Sequence, residues 1–193
     1  MKKVLIILLI IIGVVAVWGW MTYNNLITKQ EGVAKAWGQV ENVYQRRADL
    51  VPNLVAVVKS YAEYEQGTLT AVTEARAKAT STTVNVENFD ESQFAAFESA
   101  QEELGKSINR LIVAVENYPD LKASENYLAL QAQLTGCENR IQTERERFNE
   151  AAMSYNQSIR RFPGNLLAKA FGFEKRPYFK ATTENAGQAP TTF

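Results

Sequence analysis

The sequence predicts an all-α protein, an N-terminal transmembrane helix followed by an elongated antiparallel four-helix bundle. Three observations carry this. The first twenty residues are almost wholly apolar, the rest repeats apolar residues at steps of three and four, and no strand-like alternation occurs. At 193 residues the chain accommodates one domain plus appendages.

The opening run, MKKVLIILLIIIGVVAVWGW, places two lysines ahead of an apolar segment from Val4 to Met21. As a helix it reaches about 27 Å, close to the hydrocarbon thickness of a bilayer. Trp18, Trp20 and Tyr23 cluster at its far end, where amphipathic rings favour the headgroup level. A cleaved signal peptide is the competing reading. Its apolar core would be unusually long, the best small-residue site (Val14 to Ala16) is poor, and no lipid-acceptor cysteine follows. Residues 1–22 are therefore expected to form an uncleaved anchor that meets the lipid bilayer through residues 4–21. Lys2 and Lys3 favour a cytoplasmic amino end with the domain outside, a bias that Lys29 and Lys35 dilute.

Beyond the anchor, Leu26, Val33, Trp37, Val40 and Tyr44 line one helical face, and Leu54, Val57, Val58, Tyr61, Tyr64 and Val72 line another. Phe94, Phe97, Gln101, Leu104, Ile108, Leu111, Val115 and Tyr118 follow in steps of three and four, with Gln101 the one uncharged amide among apolar neighbours. Tyr127, Leu134, Ile141, Phe148, Tyr155 and Phe162 then fall seven apart, which predicts a helix from about Leu121 to Arg161, roughly 60 Å long. Residues 80–89, rich in Thr and Asn, read as a loop, and Asp90 with Gln93 matches a capping box for the next helix. Pro119 stops one helix and Asp120 starts another, while Phe162 to Asn165 ends the last. The bundle domain is expected over 23–173, and the polar residues 174–193 read as a flexible tail.

The stretch RRADLVPNLVAVVK (46–59) has two readings. In one, residues 24–80 form a single helix bent at Pro52, because Leu26, Val33, Val40, Arg47, Leu54 and Tyr61 keep one heptad phase through it. In the other, the chain reverses at Ala48 to Val51 and Pro52 opens a new helix, where its missing N–H costs nothing. Reversal yields segment lengths suited to an up-down-up-down bundle.

Lys plus Arg and Asp plus Glu both number 21, and this neutrality argues against nucleic acid. The chain has no histidine, which removes the usual general base and the commonest metal ligand. Its one cysteine, Cys137, excludes an internal disulfide and a cysteine-cluster metal site, and it reads as a small core hydrophobe. Glu63, Glu65, Glu138 and Glu144 read as solvated, with Glu144 in the heptad place of Leu130 and Cys137. No glycine-rich phosphate loop is present. These observations lead to no catalytic residues, no metal and no cofactor.

The segments 23–79, ENYPDLKASENYLALQAQL (116–134) and YNQSIRRFPGNLLAKAFGF (155–173) resemble the LemA family of membrane-anchored bacterial helical proteins. The resemblance covers nearly all of Tyr23 to Phe179. It departs at ERERFN (144–149), where the family tends to have Ala-Arg and then Tyr-Asn. The family's antiparallel four-helix bundle tips the stretch at 46–53 toward a turn and implies a bacterial cell membrane location.

With that topology, Arg46, Arg47, Asp49, Pro52 and Asn53 gather at the end far from the bilayer, next to Tyr118 and Asp120. They are expected either to cap one another, Asp49 pairing with an arginine, or to dock a protein partner. At the near end, Arg160, Arg161, Leu166, Leu167 and Phe171 form a membrane-proximal segment. It either rests on lipid or, the preferred expectation, plugs the open bundle with Leu166, Leu167 and Phe171. The function expected is that of a non-enzymatic single-pass membrane protein whose bundle binds or scaffolds other proteins, with a ligand-sensing four-helix domain as the alternative. Homo-oligomerisation is compatible with both.

Overall fold

A computed structural model describes residues 2–61, 66–86 and 89–180. Its helices are α1 (Lys2–Lys59), α2 (Gln66–Ser81), α3 (Glu91–Val115), α4 (Pro119–Lys122), α5 (Glu125–Arg160) and α6 (Gly164–Ala170), and the described residues contain no strand. α1 carries straight through Pro52, so residues 46–53 are helix interior and not the turn that the resemblance favoured. An internal proline removes the amide that should reach the carbonyl four residues back and crowds that carbonyl with its ring. Here the carbonyl is that of Ala48, and Arg76 on α2 supplies the missing donor, its Nε lying 2.8 Å away. The heptad phase also holds, with Arg47, Leu50, Val51, Leu54 and Val58 all buried on either side of the proline. Burial on the core face and a substitute donor together offset the local cost.

The chain instead reverses between Lys59 and Gln66. Glu63, Tyr64 and Glu65, read from sequence as solvated or helical, lie outside the described residues. Cross-helix pairs set the directions. Ala48 meets Arg76, and Lys78 meets Glu103. Lys29 meets Ser158, and Arg47 meets Glu138. Between α1 and α5 the numbers rise on one helix as they fall on the other, as they do between α2 and α3, where Ala79 also meets Gln101. Ala48 and Arg76 lie about equally far from the α1–α2 connection. α2 thus runs antiparallel to α1 and to α3, and α5 to α1. α1 packs most closely on α5, and α2 on α3.

Two cores result. Ala48 to Val58, α2, the second half of α3 and the first half of α5 enclose an aliphatic cluster that includes Cys137. Nearer the amino terminus an aromatic cluster surrounds Trp37, whose ring meets Phe89, Phe94, Phe97, Phe148 and Phe179 at centroid distances of 5.1 to 6.0 Å. Phe89, just before α3, therefore lies beside Trp37, roughly 24 Å along α1 from Met21.

The heptad faces of α3 and α5 are buried as their spacing requires, but the helix boundaries differ from expectation. Asp90 does cap α3, accepting from Ser92 N and Gln93 N, whereas Gln93 accepts from Asn85 N instead of closing a capping box. α5 begins after Ser124, whose side chain accepts from Tyr127 N, so Asp120 belongs to the separate turn α4. α5 stops at Arg160, which leaves Phe162 off the heptad seam and exposed.

Residues 174–180 correct the expected tail. After the left-handed Gly172 the chain turns back along α5 in extended form, with Arg176 and Phe179 buried. Asn156 Oδ1 accepts from Arg176 N while its Nδ2 donates to Arg176 O, both at 2.8 Å. Asn149 does the same for Phe179, at 2.9 and 3.1 Å. Seven helical residues and three extended residues each span about 10 Å, so the two amides match alternate stations of the strap. The remainder of the expected tail, residues 181–193, lies outside the described residues.

Candidate functional site

The stretch that stood out in the sequence forms a polar layer between the two cores. Tyr44 belongs to the aromatic cluster and Ala48 to the aliphatic one, and Arg47 sits between them, 4% exposed. Its Nη2 donates to Gln101 O at 2.7 Å and to Gln101 Oε1 at 3.0 Å, and its Nη1 to Glu138 Oε1 at 2.8 Å. Gln101 Nε2 in turn donates to Ala79 O at 3.2 Å, filling one of the carbonyls left open at the end of α2. The guanidinium also lies over the Tyr44 ring, 5.1 Å from its centroid. One side chain thus ties α1 to α3 and α5, and through Gln101 to α2.

A buried charge is costly unless it is paired. The guanidinium's two terminal nitrogens are paired, while its buried Nε has no partner among the described residues. The pairing therefore favours one register. A slip by one heptad would place Arg47 among apolar residues of the flanking cores. Glu138, read as solvated, is in fact the counter-ion, but its side chain stays 49% exposed and keeps part of its hydration. Burial pushes the Tyr44 phenol above its ordinary 10.0, while the charges of Arg145 and Arg47 pull it down.

The expected distal surface does not assemble. Arg46, Asp49, Pro52 and Asn53 are exposed along the flank of α1, and Arg47 points inward. Asp49 accepts from Gln45 Nε2 at 2.8 Å, within α1 and not from an arginine. Tyr118, half-buried, and exposed Asp120 lie at the α3–α4 junction, about 25 Å along α3 from the level of Gln101. Arg46, Asp49 and Asn53, at helical spacing, do share one outward strip.

At the other end, α6 sits where α1 passes from its exposed apolar half into the bundle. Phe171 lies 4.9 Å and Phe173 5.8 Å from the Tyr23 ring. The expected plug is only partly right. Ala168 is buried and Leu167 half-buried, whereas Leu166 and Phe171 are 61% and 60% exposed, and Arg160 and Arg161 are exposed as well.

Sequence reasoning missed Arg76, Asn149, Asn156 and Arg176, which hold the helices and strap together. Arg76 carried a usable signal, because an internal proline demands a donor for the carbonyl it frees. Glu144 is half-buried and accepts from Arg147. Among the described residues, no three His, Cys, Asp or Glu side chains converge as a metal site would require. An open cleft of about 280 Å³ lies between α1, the end of α2 and α3, lined by Tyr44, Ala48, Ala79, Thr80, Phe97 and Gln101.

The geometry defines an all-helical protein whose first helix has an apolar half, none of it buried, long enough to cross a membrane. The chain belongs to the LemA family, whose match spans residues 36–193. It is similar to magnetosome protein MamQ 1 of Paramagnetospirillum magneticum, 28% identical over 88% of this chain and 68% of that protein. MamQ of Magnetospirillum gryphiswaldense is 27% identical with the same coverage. A protein LemA of Metamycoplasma hominis is 24% identical over 82% of this chain and 69% of its own length.

Proposed function

We propose that the protein is a non-enzymatic, single-pass membrane scaffold whose bundle carries partners at a fixed height and orientation above the bilayer. The observation that supports this is the continuity of α1, which joins the apolar half to the bundle with no linker. A jointless helix transmits orientation, whereas a flexible linker would average it away. Lys2 and Lys3 favour an amino end in the cytoplasm and a bundle outside the cell membrane. The MamQ relatives are named as magnetosome proteins and not for a reaction, which agrees with a non-enzymatic reading.

Arg46, Asp49 and Asn53 form the proposed docking strip, since they stand outward on the helix that the polar layer holds in place. Photo-crosslinkers at residues 46 and 53 in intact membranes should give discrete protein adducts, and one at exposed Gln142 on α5 should not. Asp49→Arg should abolish the adducts by turning a strip of balanced charge into a cationic one. Equal labelling at all three positions would remove the docking role.

A further inference from the structure

We infer that the α5–α6 turn and α6 form a second membrane contact, an interfacial foot that rests on the anionic surface of the same bilayer that α1 enters. This rests on the reading of residues 4–21 as the span. Residues 2–17 of α1 are all exposed, whereas Trp18 and Gly19 are half-buried, so folded chain reaches down to the last turn of the apolar segment. The Tyr23–Phe171 contact and the approach of Thr22 Cγ2 to within 3.8 Å of a Cβ built at Gly164 put α6 one turn beyond that segment. Trp18 and Trp20 mark the depth at which rings sit among headgroups, so α6, packed against Tyr23, lies close to that level.

The surface offered there fits lipid. Phe162, Leu166 and Phe171 are 80%, 61% and 60% exposed, although the Phe171 ring also meets Tyr23. Isolated exposed hydrophobes need no explanation, but three within ten residues beside a membrane-spanning helix ask for one. Arg160, Arg161, Lys169 and Lys175 are exposed around them against one exposed acid, Glu174. An apolar face with a basic rim is the composition of segments that lie in the interface and attract anionic headgroups. Phe171 rests on Tyr23, two residues beyond the apolar segment, and this adjacency to the span makes the bilayer the occupant.

The test uses the full chain with Cys137→Ala and one spin label, at Leu166→Cys or Phe171→Cys, in phosphatidylcholine vesicles with and without phosphatidylglycerol. Ile10→Cys reports the span and Gln142→Cys the solvent. The expected result is that labels at 166 and 171 collide with oxygen more than with a water-soluble nickel chelate, as at position 10. The contact should deepen with phosphatidylglycerol and lose that dependence in Arg160→Gln/Arg161→Gln. Water-like collision at 166 and 171, with position 10 in lipid, would overturn the foot and leave the anchor standing. Low accessibility to both reagents would mean a protein covers these residues and would overturn it equally. A water-exposed position 10 would sink the span and the foot together.

Discussion

Removing the Arg76 donor should expose the debt that Pro52 leaves in α1. Arg76→Met strips the Ala48 carbonyl of its partner in a site where Ala48 is 1% exposed. A buried carbonyl left unsatisfied costs about 1–3 kcal/mol, and the lost bond is charge-assisted, so a value of about 2 kcal/mol is expected. With a urea dependence of about 2 kcal/mol per molar, the unfolding midpoint should fall by about 1 M. Pro52→Ala restores an amide that can reach Ala48 O and removes the ring crowding. It should raise stability by about 1–2 kcal/mol once the extra freedom of the unfolded chain is deducted. In that background Arg76→Met should cost under about 0.5 kcal/mol, as an ordinary surface change does. The coupling between the sites is then about 1.5 kcal/mol, well outside the scatter of about 0.5 kcal/mol seen for independent sites. Urea titrations of the full chain in detergent micelles, followed by far-UV circular dichroism, measure all four corners of the cycle. Additive costs would refute the reasoning and return the continuity of α1 to burial alone.

Arg47→Met should lower stability by about 2–4 kcal/mol in the same titration, while adding Gln101→Leu and Glu138→Leu should recover most of it, because the penalty lies in stranded polar groups. Phe179→Ala should cost about 3 kcal/mol and free the strap, seen as faster tryptic cleavage after Lys175 with α5 intact. Asp90 is held below its ordinary 3.8 by the Ser92 hydroxyl and then the amides of Gln93 and Ser92. A depressed carboxylate stabilises fully above pH 3.8 and loses that contribution as pH falls through the folded value. Amide exchange at the start of α3 should therefore quicken in that acid window, and Asp90→Asn should abolish the dependence.

The helical class, the apolar segment and the buried faces were legible in the sequence because period and burial are local properties. Phe94 to Val115 and Tyr127 to Tyr155 occupy the core at the spacing they display. Leu26, Val33, Val40, Arg47 and Leu54 rightly pointed to a helix continuous through Pro52. That helix ends at Lys59 and Tyr61 is exposed, so the single helix over 24–80 fails as the turn at 48–51 does. The family resemblance tipped the reading toward a turn, and the local sequence offered no compensating donor to set against the cost of Pro52. That donor, Arg76, is 28 residues away on another helix, and no local pattern links the two.

The same separation explains the docking surface and the tail. Arg46 and Asn53 were expected at a distal turn, capping it or docking a partner, and their place along the bundle depended on where the chain reversed. Residues 174–180 look like a tail because two buried side chains in seven give no periodic signal. Their order comes from Asn149 and Asn156, whose amides offer an extended backbone the pairing a neighbouring strand would supply. The sequence by itself determined which residues are helical, which faces turn inward and where an apolar span lies, all consequences of hydrophobic spacing. Only the tertiary structure decided that Pro52 is bridged, that Arg47 is buried and that α6 faces outward, because each depends on a polar or packing partner distant in the chain.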